Sequence, residues 1–239
     1  MAVSASSQQD DSSAANSIGD GPAPTVVAFD IGEVLIDETR VWSLWAELVG
    51  VSPLTFAAAM GAAIVQGLDH EAAFDHLVPH IDWRDLADEH ETRLGGLGAS
   101  DLYDDVRQCC SELTEAGFRV IIAGNQPALR SGQLAALNLS CDAIITSEEL
   151  AVAKPDPAFF TTLCNHMQIP EPADVLYVGD RVDNDVLPAS VVGMRTCWLR
   201  RGPWGRLQDL PDDVDVDLSL EGLGELPTIM ATWREELNA

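Results

Sequence analysis

Short apolar runs alternate with longer stretches of helical periodicity along most of the chain. Five of the runs are five or six residues long and apolar at most positions, which is typical of strands buried on both faces of a parallel sheet. They are residues 25–30, 119–124, 142–146, 174–179 and 195–200. Between them, 127–137 and 157–168 have helical patterns, the second with Asp156 as N-cap and Pro157 at its first position. This alternation predicts an α/β fold with a doubly wound (Rossmann-like) parallel sheet and right-handed crossovers.

The first crossover is much longer than a strand–helix–strand connection requires. About ninety residues separate the first two strands, and apolar residues recur there at helical spacing, as in Val41, Leu44, Trp45 and Leu48. We therefore predict a small all-helical domain at 38–100, inserted into a core made of 24–37 and 101–239. The end of the chain adds an edge strand and a closing helix, and residues 1–23 are predicted to be a disordered tail.

Composition excludes several classes of partner. The net charge of −26 would repel nucleic acids and anionic membranes. Such acidity indicates either a high-salt cytoplasm or a GC-rich genome, and composition does not distinguish the two. The five cysteines are odd in number and show no CxxC spacing, which predicts reduced core residues in a cytoplasmic protein. No apolar run reaches transmembrane length, and residues 1–23 lack the basic and apolar segments of a signal peptide.

Polar residues follow the predicted strands where each strand ends, and ligands bind at that edge of a doubly wound sheet. One more candidate, Lys154, is the only lysine among 13 basic residues and precedes the helix before the fourth strand. The set comprises Asp30, Gly124, Asn125, Lys154, Asp180 and Asp185. Asp30 and Asp180 supply two carboxylates at one edge, Asn125 a free amide and Lys154 a lone ammonium. This set suits phosphoryl transfer, in which Asp30 attacks, Lys154 neutralises charge, and Mg²⁺ binds Asp30 and Asp180.

Four motifs in this order resemble those of the haloacid dehalogenase-like hydrolase superfamily, over residues 25 to about 205. They are VVAFDIGEVLID, IIAGN, the Lys-Pro-Asp-Pro of 154–157, and Gly179-Asp180 with Asp185 five positions on. The resemblance implies a hydrolase with Asp30 as the nucleophile, Lys154 as the catalytic cation, and a helical cap at 38–100 that closes over the site. It also implies phosphate binding by Gly124, Asn125 and Lys154. The implied Mg²⁺ ligands are Asp30, the carbonyl of Gly32, Asp180 and Asp185, and Asp37 matches a further aspartate of the first motif.

Two positions depart from that pattern. Gly32 stands where most phosphatases of the family carry an aspartate that protonates the leaving alcohol, and general acid catalysis typically contributes roughly 10²- to 10⁴-fold. Gly124 replaces a hydroxyl residue, and one hydrogen bond to a charged group is worth about 1.5–3 kcal/mol. We therefore expect a preference for activated esters. Glu33 is a candidate for the missing proton donor, although a solvated turn residue is the favoured interpretation.

The pattern favours a Mg²⁺-dependent phosphatase acting on a small phosphorylated metabolite. The alternatives are a weakened family member that only binds a phosphorylated ligand and, less favoured, a metal-independent 2-haloacid dehalogenase. Neither the substrate nor the oligomeric state is specified by any motif.

Side chains of the predicted helical insertion are interpreted mainly as structural. The aromatic and Met residues at helical spacing predict core packing more than pocket lining, and the histidines predict surface or core positions more than a metal site. The two sets are Trp42, Trp45, Phe56, Met60 and Trp83, and His70, His76, His80 and His90.

Overall fold

Six parallel strands form one sheet in the computed structural model, which describes residues 22–236. Most of the predicted tail at 1–23 lies outside the described residues. The strands are β1 (Val26–Phe29), β2 (Arg119–Gly124), β3 (Ala143–Thr146), β4 (Val175–Gly179), β5 (Arg195–Leu199) and β6 (Leu218–Leu220). All five strands predicted from the apolar runs are confirmed, and β6 is the expected edge strand.

The sheet order is β3-β2-β1-β4-β5-β6, so the chain winds outward in both directions from β1. Register is regular, with Ala28 opposite both Ile121 of β2 and Tyr177 of β4. The ends of β1, β2 and β4 therefore lie side by side at the centre of one edge. This is where ligands bind in doubly wound sheets.

Helices cover both faces of the sheet. They are α5 (Val106–Glu115), α6 (Leu129–Ala135), α7 (Ser147–Leu150), α8 (Pro157–His166), α9 (Leu187–Val191), α10 (Gly202–Leu207) and α11 (Leu226–Glu236). Alternate residues of β1 face opposite cores: Val27 and Phe29 belong to one with α5 and α11, and Val26 and Ala28 to another with α8. Each large side chain fully buried in this way contributes about 1.5–3 kcal/mol. The doubly wound α/β prediction is confirmed.

Residues 38–100 contain helices and turns but no strand. The helices are α1 (Thr39–Leu48), α2 (Pro53–Val65), α3 (Glu71–Leu77) and α4 (Ala87–Leu94), with short 3₁₀ turns at Trp83–Leu86 and Ala99–Asp101. Their apolar faces form a cluster of their own, which also takes in Trp204 of α10. We call this region the helical insertion; its boundaries as a domain, 38 and 100, stay a prediction.

The chain segments that enter and leave the helical insertion are joined by hydrogen bonds. Arg40 donates to both carboxylate oxygens of Asp101, at 2.8 and 2.6 Å, and to the carbonyl oxygens of Leu94 and Gly96, each at 2.7 Å. The Asp37 N–H donates to the Asp101 carbonyl at 2.7 Å. The insertion is thus held at its base by one guanidinium with four acceptors.

Between residues 22 and 236, no single helix is long and apolar enough to cross a membrane. Only α1 and α2 taken together have the length and composition, and they are bent by 109°.

Candidate active site

Asp30 lies at the end of β1, in the centre of the sheet edge. Its N–H donates to the Val178 carbonyl at 2.9 Å, which continues the β1–β4 pairing by one residue. The residue is 7% exposed, and its carboxylate faces a cavity of about 400 Å³. The strand thus presents one accessible carboxylate at the position where ligands bind.

Lys154 joins two carboxylates from different strand ends. Its Nζ lies 2.6 Å from Asp30 Oδ1 and 2.5 Å from Asp185 Oδ1, and its side chain is 1% exposed. Burial alone would lower the pKa of this ammonium, but Asp185 and Asp30 outweigh that effect and raise its pKa well above the ordinary value. Lys154 is therefore a permanently charged group at the centre of the site.

Asn125 holds Lys154 by its backbone. The Asn125 Nδ2 donates to the Lys154 carbonyl and its Oδ1 accepts from the Lys154 N–H, both at 2.8 Å. The sequence interpretation of a free amide is therefore wrong, because both ends of this amide already bind the segment that carries the lysine.

Asp30, Asp180 and Asp185 form a buried acidic cluster. One carboxylate oxygen from each lies within 4.8 Å of the others. Within residues 22–236, Asp180 Oδ2 is buried and has no hydrogen-bond partner, while Asp185 accepts from Lys154 and from the Arg181 N–H. Among residues 22–236, Lys154 pairs with Asp30 and Asp185 and no ion pair joins Asp180 to a basic side chain, so the cluster holds three carboxyl groups and one paired cation. Hard oxygen donors, an unpartnered buried oxygen and this charge fit a Mg²⁺ ion.

The same crowding shifts the acidities of the cluster. Burial, with the charges of Asp185 and Asp30, raises the pKa of Asp180 well above its ordinary value. Burial also raises the pKa of Asp185 to about 6, against the opposing effect of Lys154. Loss of hydration around the charged form is the main physical cause, and the neighbouring negative charges add to it.

Gly124 leaves room for the Asp30 carboxylate. A Cβ atom at this position would overlap Asp30 Oδ1. Glycine therefore permits the close approach of β2 to the end of β1.

Glu33 is buried rather than solvated. It has a positive φ of 53° and is 5% exposed. Its Oε2 accepts from the Tyr103 hydroxyl at 2.6 Å, and its Oε1 accepts from the Glu38 N–H at 3.0 Å. Glu33 lies in a turn, as predicted. The prediction that it is solvated is wrong, because both of its carboxylate oxygens accept hydrogen bonds inside the protein.

Glu38 enters the site from the start of the helical insertion. A Cβ at Gly32 would lie 2.6 Å from Glu38 Oε1 and 2.8 Å from its Cδ, so the Glu38 carboxyl fills the space above that glycine. Glu38 Oε2 accepts from Trp42 Nε1 at 3.1 Å. Burial, followed by the charge of Glu33, raises the pKa of Glu38 to about 8. No motif singles out Glu38, since an acidic residue at a helix start is ordinarily a solvated charge that interacts favourably with the helix dipole.

The helical insertion supplies the opposite wall of the cavity. Trp42, Trp45, His70 and His90 line it together with Trp204, so part of the aromatic set predicted as core also faces the pocket. His90 stacks on Trp45 at 4.2 Å between ring centroids, and its Nε2 lies 3.1 Å from the Val41 carbonyl oxygen.

Two ion pairs connect the core to the helical insertion around the cavity. Arg130 of α6 pairs with Glu91 of α4, at 2.9 and 3.2 Å. Arg181, which follows β4, pairs with Asp69 at 3.3 Å and stacks over Trp204. All of these residues line the cavity. No motif predicted them, because their partners lie in the insertion, far away in sequence.

A profile of the haloacid dehalogenase-like hydrolase family matches residues 24–193. The chain belongs to this family. Among its relatives, glyceraldehyde 3-phosphate phosphatase of Methanopyrus kandleri is 29% identical over 140 residues, covering 57% of this chain and 58% of the relative. The protein of the same name from Methanocaldococcus jannaschii is 35% identical over 95 residues, covering 40% of each chain. The alignments thus span about half the length of these relatives.

Solved structures of this family share the fold. L-2-haloacid dehalogenase from Xanthobacter autotrophicus, with chloropropionic acid covalently bound, has a TM-score of 0.66 and 20% identity, covering 86% of this chain and 98% of that one. Proteins similar to this chain thus include both phosphatases and a dehalogenase by name, so the fold alone does not specify the reaction.

Proposed function

We propose that this haloacid dehalogenase-like protein is a Mg²⁺-dependent phosphatase of a small phosphorylated metabolite. The observation that carries the proposal is the buried cluster of Asp30, Asp180 and Asp185 around Lys154. Relatives named as glyceraldehyde 3-phosphate phosphatases support a small phosphorylated substrate. The five free cysteines fit a reducing compartment such as the cytoplasm.

In this proposal Asp30 is the nucleophile. One of its carboxylate oxygens forms a bond to phosphorus while the bond from phosphorus to the leaving oxygen breaks, which gives an aspartyl-phosphate. Lys154 Nζ has three N–H groups and contacts Asp30 and Asp185; in this proposal it also donates to a phosphate oxygen. Water then hydrolyses the aspartyl-phosphate and regenerates Asp30.

The remaining residues hold the ion and the phosphate. Asp30, Asp180 and Asp185, with the carbonyl of Gly32, would bind Mg²⁺, which supplies positive charge next to the phosphate oxygens. Asn125 fixes the Lys154 backbone, and Gly124 lets the end of β2 come close to Asp30. Both therefore shape the phosphate-binding position.

A magnesium titration against a panel of esters tests the proposal. The protein is freed of metal with EDTA, and phosphate release is measured from aryl, anomeric sugar, acyl and primary alkyl phosphates as MgCl₂ is added. Chloride release from 2-chloropropionate is measured in parallel, with and without EDTA. Asp30→Asn serves as the inactive reference.

We expect phosphate release that requires Mg²⁺ and no chloride release. Chloride release that persists in EDTA would establish a dehalogenase instead, for which the fold relative provides a precedent. Binding of phosphate esters without any turnover would favour the binding-only alternative, which Gly32 and Gly124 suggest.

A further inference from the structure

The space above Gly32 is occupied by a carboxyl group from another position. A side chain grown from Gly32 would meet Glu38 Oε1, Cδ and Oε2 at 2.6, 2.8 and 3.1 Å. Gly32 does not have a positive φ, so its backbone does not require glycine. The Glu38 carboxyl therefore occupies the volume that a side chain at position 32 would need.

The Glu38 carboxyl belongs to the reaction cavity. Glu38 lines the same cavity as Asp30, Lys154 and Asp180, and its side chain is half-buried. Its Oε2 is engaged by Trp42 Nε1, whereas Oε1 has no hydrogen-bond partner among residues 22–236. One oxygen is thus fixed and the other is free to meet a ligand.

The position of Glu38 is set by a chain of hydrogen bonds that starts in the core. The Tyr103 hydroxyl binds Glu33 Oε2, and Glu33 Oε1 accepts from the Glu38 N–H. Glu33 in turn fills the space beside Gly202, where a Cβ would lie 2.7 Å from the Glu33 Cβ. A surface glutamate would have no such support.

We propose that Glu38 donates the proton to the leaving oxygen, in place of a side chain at position 32. This inference rests on the proposed phosphatase function. As the Asp30–phosphorus bond forms, the electron pair of the breaking phosphorus–oxygen bond passes to the leaving oxygen, which takes the proton from Glu38 Oε1. In the second half, the Glu38 carboxylate accepts a proton from the water that attacks the aspartyl-phosphate, so the residue returns to its starting state.

The test is the dependence of kcat/KM on the pKa of the leaving alcohol. Glu38→Gln keeps the size of the side chain and an acceptor for Trp42 but cannot transfer the proton. Glu47→Gln, an exposed residue on helix α1, which begins directly after Glu38, is the matched control. The series runs from dinitrophenyl phosphate through phenyl phosphate to primary alkyl phosphates.

We expect Glu38→Gln to lose less than about tenfold on dinitrophenyl phosphate and about 10²- to 10⁴-fold on alkyl phosphates, the range of general acid catalysis. Glu47→Gln should match wild type throughout. An equal loss on all esters would show a structural role for Glu38 and overturn the inference, as would no loss. Wild type without activity on any ester would overturn the proposed function as well.

A relocation variant gives an independent readout. Gly32→Asp combined with Glu38→Ala places the carboxyl on the other residue and removes the overlap. We expect this double variant to hydrolyse alkyl phosphates at least tenfold faster than Glu38→Ala alone. Gly32→Asp alone should be no faster than wild type on alkyl phosphates, because Glu38 already supplies the proton from that space.

Discussion

Lys154 shows how tightly a single side chain can be specified. It is the only lysine in a chain with 12 arginines. Its Nζ contacts Asp30 and Asp185, and its side chain is 1% exposed. An ammonium is a compact charge with rotatable donors, whereas a guanidinium is a wider planar group. The residue type therefore follows from the space between two carboxylates.

Lys154→Arg is accordingly expected to reduce kcat/KM to less than about a tenth of wild type, because the planar fork cannot keep both contacts and the phosphate. The exposed Arg93→Lys serves as control for the exchange of the two cations. Activity above that level would indicate that the lone lysine is a matter of chance.

Asp30→Asn should abolish turnover, since an amide cannot form the aspartyl-phosphate. The fold should persist, because Lys154 keeps its partner Asp185. Steady-state kinetics and thermal unfolding followed by circular dichroism measure the two effects, with Asp212→Asn in an exposed loop as control. A rate close to wild type would remove Asp30 as nucleophile.

The Asp180→Ala variant should lose activity because it binds Mg²⁺ less tightly. The variant removes the buried Oδ2, which has no partner in the described part of the chain, so the affinity for Mg²⁺ should fall and high concentrations of MgCl₂ should partly restore activity. Isothermal titration calorimetry measures the affinity directly. An unchanged Mg²⁺ dissociation constant would show that Asp180 is not a ligand.

At the scale of the elements, the apolar runs predicted β1 to β5 because β1, β2, β4 and β5 are buried at nearly every position, so apolar residues dominate each run. The helix after Pro157 was equally predictable, since Asp156 accepts from the Ala158 N–H at 2.9 Å, as an N-cap should. Contacts between the core and the helical insertion were not predictable. They join residues that are far apart in sequence, so no periodic pattern along the chain indicates them.

The Arg130–Glu91 pair is expected to contribute most among these contacts. Arg130 is 7% exposed, so Glu91→Gln leaves a buried guanidinium without its counter-charge. We expect the free energy of unfolding to fall by about 1–3 kcal/mol. The Arg93–Glu89 pair, exposed on the same helix α4, should contribute only about 0.3–0.5 kcal/mol.

Urea denaturation with a double-mutant cycle for each pair measures the two coupling energies. Equal couplings would mean that the bridge between α4 and α6 is no stronger than a surface ion pair.

At the scale of the whole molecule, charge is the dominant feature. With a net charge of −26, the folded chain repels itself, and salt weakens this repulsion as the Debye length falls from about 10 Å at 0.1 M to about 3 Å at 1 M. We therefore expect Tm to rise with NaCl over this range. A Tm that falls with salt would show that ion pairs outweigh the repulsion.

A charge-reduced variant is the matched control for the salt effect. Asp212, Asp213 and Asp215 are exposed in one loop, and their replacement by Asn should raise Tm at low salt and shrink the increment that NaCl produces. If NaCl raises the Tm of the variant as much as that of wild type, the salt effect has a cause other than this repulsion.

The strand-end residues of the site were predictable, and Glu38 was not. Asp30 and Asp180 directly follow strands, and parallel strands bring their carboxyl ends to one edge whatever the rest of the fold does. Glu38 reaches the same place only because the turn after β1 folds back on itself, with the Glu33 N–H donating to the Ile36 carbonyl at 2.8 Å. That path depends on individual hydrogen bonds rather than on a pattern.

The turn after β1 also matters for engineering. Chimaeras that exchange substrate specificity between related enzymes would naturally be joined where the helical insertion begins, at residue 38. Such a junction would discard Glu38 and Trp42, the residue whose indole N–H holds the Glu38 carboxyl. A donor sequence spliced in at that point would bring its own pocket while removing the proton donor proposed above for the recipient. Productive grafts should therefore retain the recipient chain through Trp42 and begin the foreign segment inside α1.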